Sequence, residues 1–260
     1  MPSLDTHASS RFTKLLYVGN SGSGKTGSLT SLIAAGYKLR IIDMDNGLDA
    51  LVNHARADGL NLSSVEYISI RDTYSFGAMG PRVKGSTKAF VKAIGLLDKW
   101  EDGSNPAEWG DDTILVIDTL TSLGVSAFEW AKKMNPTFKD PRLWYAPAQK
   151  TLEEVIMALT SESFQTNVIV VSHIDYREDA GLEKGFVSAI GKALGPKLPR
   201  AFNTMILAET SGTGQKVRRR IKTYPTATID LKNPAPMRID AEYPLESGLA
   251  SIFALLKGTN

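Results

Sequence analysis

The stretch Y-V-G-N-S-G-S-G-K-T-G-S, residues 17–28, constrains this chain more than any other. Read from Gly19 it is G-x-x-x-x-G-K-T, a loop whose backbone amides cradle phosphates. Read from Gly22 it is G-x-G-x-x-G, with Gly22, Gly24 and Gly27, the turn that takes a dinucleotide. Both forms need a strand, a tight glycine turn and a helix whose N-terminus faces an anion. The two differ in chemistry: cleavage of a nucleoside triphosphate, or storage of a hydride cofactor.

The dinucleotide form asks for an acidic residue about 20 positions past the glycines, and Asp43 and Asp45 supply one. Three features favour the triphosphate form. Lys25 and Thr26 follow Gly24 directly, giving an ammonium for the β/γ-phosphates and a hydroxyl for Mg²⁺ that a dinucleotide turn does not need. Residues 114–118, I-L-V-I-D, are four apolar residues ending in a carboxylate, which can hold Mg²⁺ through its water shell. Residues 168–173 form another apolar run, ending on Ser172 and His173, and strand ends of this kind line the ligand crevice of open α/β sheets.

ATP and Mg²⁺ are therefore the expected cofactors. Gly19, Asn20, Ser21, Gly22, Ser23, Gly24, Lys25, Thr26 and Gly27 surround the phosphates, and Thr26 and Asp118 hold the metal. Gly27 is expected to be a small residue that lets the first helical turn pack closely on the sheet. Hydrolysis also needs a group that orients water. Asp43 and Asp45 point to the same face of one strand. Asp45 is the expected water-positioning acid, and the competing reading has one of the pair capping the helix that starts near residues 48–49.

Short apolar runs alternate with helical patterns along the first two thirds. Strands are expected at 14–19, 39–44, 65–70, 113–118 and 167–172, and helices at 25–35, 87–100 and 144–159. Continuous β-branched runs separated by helices predict an α/β fold with a mostly parallel central sheet covered on both faces. Further strands at 202–209, 216–223 and 227–231, with turns between them, predict an antiparallel C-terminal extension. A helix at 245–256 follows. Residues 77–85 and 103–110 read as Gly- and Pro-containing loops. The expected organisation is a loose arm at 1–13 and one domain over 14–260.

With 30 Lys and Arg against 28 Asp and Glu, the net charge of +2 announces no polyanion partner globally, so any basic surface is local. Absence of cysteine excludes disulfides and thiolate metal sites. No apolar run approaches the roughly 20 residues of a membrane span, and residues 1–14 have no apolar leader core. A soluble, cytoplasmic protein without membrane contact is expected.

Four blocks in order resemble the RecA-type recombinase branch of triphosphatases. I-I-D-M-D-N-G-L-D-A-L (41–51) resembles the block with the catalytic acid, at Asp45, where RecA has Glu. I-L-V-I-D-T-L-T-S-L (114–123) resembles the Mg²⁺ strand. V-I-V-V-S-H-I-D (168–175) resembles the strand that senses the γ-phosphate, with His173 in place of a Gln, as in phage and archaeal relatives. The segment 191–209 resembles the one that follows the second DNA loop. The likeness spans roughly residues 14–209 and is closest to phage-encoded RecA-like proteins, some of which are single-strand annealing ATPases. It implies a RecA-like fold, DNA-dependent ATP hydrolysis with Lys25, Asp45 and His173 as catalytic residues, and assembly with copies of itself as ring or filament. It also implies single-stranded DNA as partner in recombination or annealing, a single-strand DNA-binding protein as a further candidate, and, for a phage protein, the host cytoplasm.

Such relatives carry a late-strand Lys and Arg that reach a neighbouring subunit's phosphate. Lys232 is the candidate Lys. Pro234 stands where the Arg is expected, leaving Arg238 only as a displaced substitute, and Lys192 and Lys197 are alternative cross-subunit contacts. The first candidate DNA loop, 131–142, carries Lys132, Lys133, Lys139 and Arg142 beside Phe138, the basic and aromatic mix that single strands bind. The second, 174–190, has the right position and glycines for a mobile loop but is acidic. Arg218, Arg219 and Arg220 are a further basic cluster, split across two faces by strand alternation.

Two other functions use the same loop. A small-molecule kinase would need an acceptor pocket and an Arg-rich lid, and the arginines do not cluster in one. A nucleotide-gated loader or scaffold with little hydrolysis is compatible with Asp at position 45. A GTPase is disfavoured because no N-K-x-D tetrad occurs.

Overall fold

A strand covered on both faces needs apolar side chains at successive positions, and β1 (Lys14–Gly19) meets that condition. Leu15 and Tyr17 face one side, Leu16 and Val18 the other, and all four are fully buried. The computed structural model describes residues 11–78, 80–84, 87–179 and 181–258. From β1 the glycine loop leads into α1 (Lys25–Ser28) and α2 (Thr30–Ala34). β2 (Lys38–Asp43), α3 (Asp49–Ala57) and β3 (Val65–Ser69) follow, then a hairpin of β4 (Tyr74–Gly77) and β5 (Gly80–Val83). After α4 (Ala89–Asp98) come β6 (Gly110–Asp118), α5 (Leu120–Met134), α6 (Tyr145–Thr160) and β7 (Thr166–Ser172). A second hairpin, β8 (Ile174–Asp179) and β9 (Leu182–Val187), and the short α7 (Gly191–Leu194) precede β10 (Thr204–Ser211). β11 (Arg218–Lys222), β12 (Glu242–Pro244) and α8 (Leu245–Lys257) end the described chain.

Eight strands make one sheet in the order β12–β11–β10–β1–β7–β6–β2–β3. The six from β10 to β3 are parallel, β11 adds antiparallel to β10, and β12 adds antiparallel to β11. This is the expected mostly parallel sheet with an antiparallel C-terminal extension. On one face, Leu16, Val18, Leu115, Ile117, Val168 and Val170 pack against α4, α5 and α6 through Phe90, Leu120, Leu123 and Leu152. On the other, Leu15, Tyr17, Ile41, Val116 and Ile169 pack against α2, α3 and α8 through Leu32, Leu51, Leu249 and Phe253. Parallel pairing puts the C-terminal ends of β1, β2, β6 and β7 along one edge, so the residues after them converge.

Four local expectations change. The helix expected over 25–35 is two pieces, α1 and α2. Of the extension, 202–209 is β10, parallel to β1, and the strand after β11 is β12, whereas 227–231 forms a turn in which Thr226 Oγ1 accepts from the amides of Thr228 and Ile229, followed by an isolated bridge from Lys232 to Met205. Within 77–85, expected as loop, Gly77 and 80–83 belong to the β4–β5 hairpin, and 79 and 85 lie outside the described residues. The mobile loop expected over 174–190 is largely the paired β8–β9 hairpin, and Gly185 lets Ile229 lie against it, since a Cβ there would sit 2.8 Å from the Ile229 side chain. Of the expected arm, residues 1–10 lie outside the described residues, while Phe12 and Thr13 are buried.

Gly19 ends β1 where β10 crowds it. A Cβ would lie 2.7 Å from both the Ala208 carbonyl oxygen and Ser23 Oγ, and a backbone oxygen cannot swing away. Gly19→Ala is therefore expected to destabilise the fold by about 1–3 kcal/mol, read as a lowered Tm. An unchanged Tm would show that β10 and the loop tolerate the extra carbon.

Candidate nucleotide site

The loop after β1 closes on itself. Gly22 and Gly24 hold φ of 74° and 93°, a left-handed conformation that favours glycine. Gly24 also faces the side chains of Leu245 and Arg219, with a would-be Cβ 2.4 Å from Leu245 Cδ2. The Lys25 ammonium donates to the carbonyls of Gly19 (2.7 Å) and Asn20 (2.9 Å), which stretches the side chain across the loop mouth. Burial pulls its pKa down to about 8, against the opposing pull of Asp118 and Asp45. Ser23 Oγ is buried and has no hydrogen-bond partner.

Asp118 ends β6 and is nearly inaccessible. Its Oδ2 accepts from Thr26 Oγ1 at 2.7 Å. Burial pushes its pKa up to about 6, the Thr26 hydrogen bond opposes this, and the charges of Asp45 and Asp43 add to the rise. A hydroxyl and a desolvated carboxylate in contact at the mouth of a glycine loop fit Mg²⁺, a hard cation that takes oxygen ligands and keeps several waters. Thr26 and Asp118 would hold it, and when bound it would neutralise phosphate charge.

The two acids of β2 separate by role. Asp43 is buried and acts structurally: Oδ1 accepts from the amides of Asp45, Asn46 and Gly47, and Oδ2 from Ser69 Oγ. Asp45 turns into the cleft. Its carboxylate accepts from Ser122 Oγ and from Thr119 Oγ1 (3.2 Å), and His173 Nε2 stands 3.7 Å from Oδ2. His173, then the Ser122 and Thr119 hydroxyls, hold the Asp45 carboxyl below the usual carboxylate range, while partial burial opposes them.

The end of β7 is fastened to the root of the second hairpin. Thr121 Oγ1 (2.9 Å) and Ser172 Oγ (2.8 Å) both donate to the Ser188 carbonyl, the Ser188 amide donates to the His173 carbonyl (2.9 Å), and the His173 amide donates to Thr121 Oγ1 (3.2 Å). α5 touches the same root, with a would-be Cβ on Gly124 3.1 Å from the Ala189 backbone.

These groups share a cleft of about 490 Å³ that runs from Asp45, Asp118, Thr119 and His173 over the glycine loop to Thr30, His54, Asp58 and Glu246. Lys25, Thr26, Asp45, Asp118 and His173 thus come together as expected. Gly27 departs from expectation: a Cβ there would lie 3.0 Å from the His54 ring of α3, so it admits α3 and not the sheet. The cleft also takes in residues the sequence does not single out, His54 and Glu246 among them, and it gives one arginine of the 218–220 cluster a defined place. Arg219 on β11 donates from Nε to the Gly22 carbonyl at 3.2 Å, while Arg220, one position on, pairs with Glu242. Strand alternation splits this cluster, and the strand pairing decides which arginine meets the loop. His54 and Glu246 reach the cleft from α3 and α8, helices whose placement beside the loop is set by packing on the sheet and not by a local pattern.

The remaining candidates lie outside the cleft. Lys132 pairs with Glu129 at 3.8 Å and lies over the Trp144 ring. Lys133 and Lys139 are exposed and Phe138 is half-buried. Arg142 is tied to Asp140, its partner within the same turn. Lys192 and Lys197 are exposed. Lys232 donates to the Phe202 carbonyl at 2.5 Å, near the start of β10 and away from the loop edge.

A glycine loop after β1, a carboxylate ending β6 and a polar end to β7 on this sheet order define a RecA-like P-loop ATPase fold. Residues 11–235 match the AAA domain family AAA_24, and the chain belongs to that family. No curated protein matches it. Among solved structures it is similar to the RadB recombinase, at 16% identity, 92% coverage of this chain and 90% of the other, with a TM-score of 0.51. A KaiC-like protein from the hyperthermophilic archaeon Pyrococcus horikoshii OT3 aligns at 12% identity over 90% and 85% of the two chains, with a TM-score of 0.46. Among the described residues, no helix is long and apolar enough to cross a membrane.

Proposed function

We propose that this protein hydrolyses Mg-ATP in step with binding single-stranded DNA, in recombination or strand annealing, as an assembly of its own copies. The observation that carries the reading is the contact between Asp45 and His173. It joins the residue suited to orient water with the end of the strand that continues into the β8–β9 hairpin. Lys25 neutralises β/γ-phosphate charge, Thr26 and Asp118 hold the metal, Asp45 positions water, and His173 registers the γ-phosphate. The recombinase of similar fold supports the class of process, and the exposed Lys132, Lys133 and Lys139 supply local positive charge for a phosphate backbone.

A second reading has its own support. The Asp45 carboxylate already accepts from Ser122 and Thr119 and faces His173, which leaves few lone pairs for water. That favours a slow hydrolase acting as a nucleotide-gated loader. Phosphate release measured with and without single-stranded DNA, across salt concentrations, separates the two. Stimulation by DNA that fades with salt supports the first. Tight ATP binding with negligible turnover under both conditions supports the second. Turnover only with a small acceptor would replace both with a kinase. In the hydrolase reading, Asp45→Asn lowers turnover by roughly 10²-fold or more and retains ATP binding.

A further inference from the structure

The chain leaves β3 on the same sheet edge as the glycine loop and returns twenty positions later as α4. Between them stands the β4–β5 hairpin, with Tyr74 opposite Val83 and Phe76 opposite Pro81. Residues directly opposed in an antiparallel pair share a face, so one face of this arm carries Tyr74, Phe76, Pro81 and Val83. Tyr74 is 57% exposed and Phe76 91% exposed. Neither ring belongs to either core cluster. A lone two-stranded hairpin gains little stability in water, and two aromatic rings turned outward add little to the core of the fold that carries them.

The charge around the rings has one sign. Residues 71–88 contain Arg71, Arg82, Lys84 and Lys88 against Asp72 alone. Asp72 is already engaged: its Oδ1 accepts from the amides of Lys88 (2.8 Å) and Ala89 (3.1 Å) at the start of α4. Arg71, Lys84 and Lys88 are exposed. The Lys84 amide closes the stem on the Thr73 carbonyl at 2.6 Å, which holds the two strands together at their base. The other hairpin on this edge has the opposite character. It carries Asp175, Glu178, Asp179 and Glu183 against Arg177 and Lys184, and Arg177 is spent on Asp175, on the Lys192 carbonyl and on the Phe186 ring.

We propose that the β4–β5 hairpin is a single-stranded nucleic-acid contact, with Tyr74 and Phe76 as stacking surfaces for bases and Arg71, Lys84 and Lys88 as phosphate partners. Exposed aromatic rings interleaved with cations are what an unpaired strand needs, since every base offers a flat face and every phosphate a charge. A second copy of this chain, the competing occupant, would have to cover the rings with apolar surface and meet the cations with carboxylates. The inference rests on the single-stranded DNA reading above and assigns it a surface.

The test is fluorescence anisotropy of a labelled oligothymidine with the full chain, Mg-ATP present. Tyr74→Ala/Phe76→Ala is expected to weaken binding at least tenfold, with Tm and sedimentation coefficient unchanged because the rings lie outside the core. Tyr74→Phe is expected to keep the affinity, and Lys84→Glu to reduce the salt slope by about one. Wild-type binding that the double substitution leaves intact would overturn the hairpin assignment and leave the DNA reading standing. Loss of self-association in the double variant, with affinity per chain unchanged, would reassign the rings to contact between copies. No binding by the wild type at any salt concentration would remove both.

Discussion

Lys25→Ala is expected to leave the protein folded and to remove ATP turnover. The ammonium lies across the loop mouth on two carbonyls, those of Gly19 and Asn20. It keeps its charge at neutral pH because Asp118 and Asp45 partly offset the burial that lowers its pKa to about 8. The Asn20 position is exposed and the Gly19 carbonyl is buried, so losing their donor costs about 1–3 kcal/mol, which a folded domain can bear, and the substitution adds no atoms to the core. The chemistry loses much more. A fixed positive charge aimed at the bridge between two phosphates acts where charge shifts in the transition state, and removing one such group costs roughly 10²–10³-fold in rate. Lys25→Arg is expected to fail as well, because the planar fork does not fit a site built for a compact ammonium. Phosphate release with a matched thermal melt is the measurement. Undiminished turnover with the fold intact would place the chemistry elsewhere.

Asp118→Asn is expected to have two large effects of opposite sign. On the proposed reading, turnover is lost with the carboxylate that would hold the metal. The metal-free protein becomes more stable, because the fold keeps Asp118 under strain from desolvation. Its pKa rises from 3.8 to about 6, so the folded state resists ionisation more than the unfolded chain does. Stability therefore falls as pH rises from about 4 to about 6, and the full cost is present above pH 6. At about 1.4 kcal/mol per unit, the cost at pH 7.5 is at most about 3 kcal/mol. Asparagine avoids it and still accepts from Thr26. In a chelator, the variant is expected to melt several degrees higher than wild type at pH 7.5, with the gap narrowing towards pH 5. Stabilisation by Mg-ATP, expected in the wild type by mass action on the proposed reading, is expected to shrink in the variant. A lower Tm for the variant in chelator at pH 7.5 would contradict the account.

Features that depend on local chemistry were legible in the sequence. The glycine loop needs left-handed backbone and a lysine in fixed order, so G-x-x-x-x-G-K-T could be read directly. Buried parallel strands need unbroken apolar runs, and residues 114–118 and 168–172 have them. What escaped depends on pairing between distant segments. Residues 77–85 look like a loop because Gly77, Gly80 and Pro81 break any pattern, yet a hairpin needs only register. Residues 227–231 alternate like a strand, but Glu242–Pro244 takes the place beside β11. Asp43 and Asp45 looked alike by periodicity, and the turn amides at 45–47 decide which one is spent on structure. Arg219 became distinguishable from Arg218 and Arg220 only once β11 lay against β10. Gly27 makes room for a neighbour, but that neighbour is His54 of α3, 27 positions on, and not the sheet, a pairing no local pattern encodes.

The bonds that join the end of β7 to Ser188 have a mechanical consequence. The His173 backbone is gripped from both sides, through its amide to Thr121 and through its carbonyl to Ser188, and Thr121 and Ser172 grip Ser188 in turn. A shift of this backbone must either break that ring of bonds or carry the foot of the β8–β9 arm with it. Breaking several bonds together costs more than moving a two-stranded arm whose Asp179 and Leu182 are exposed. The arm therefore behaves as a pointer geared to the residue beside Asp45, with the clasp of hydroxyls as its pivot.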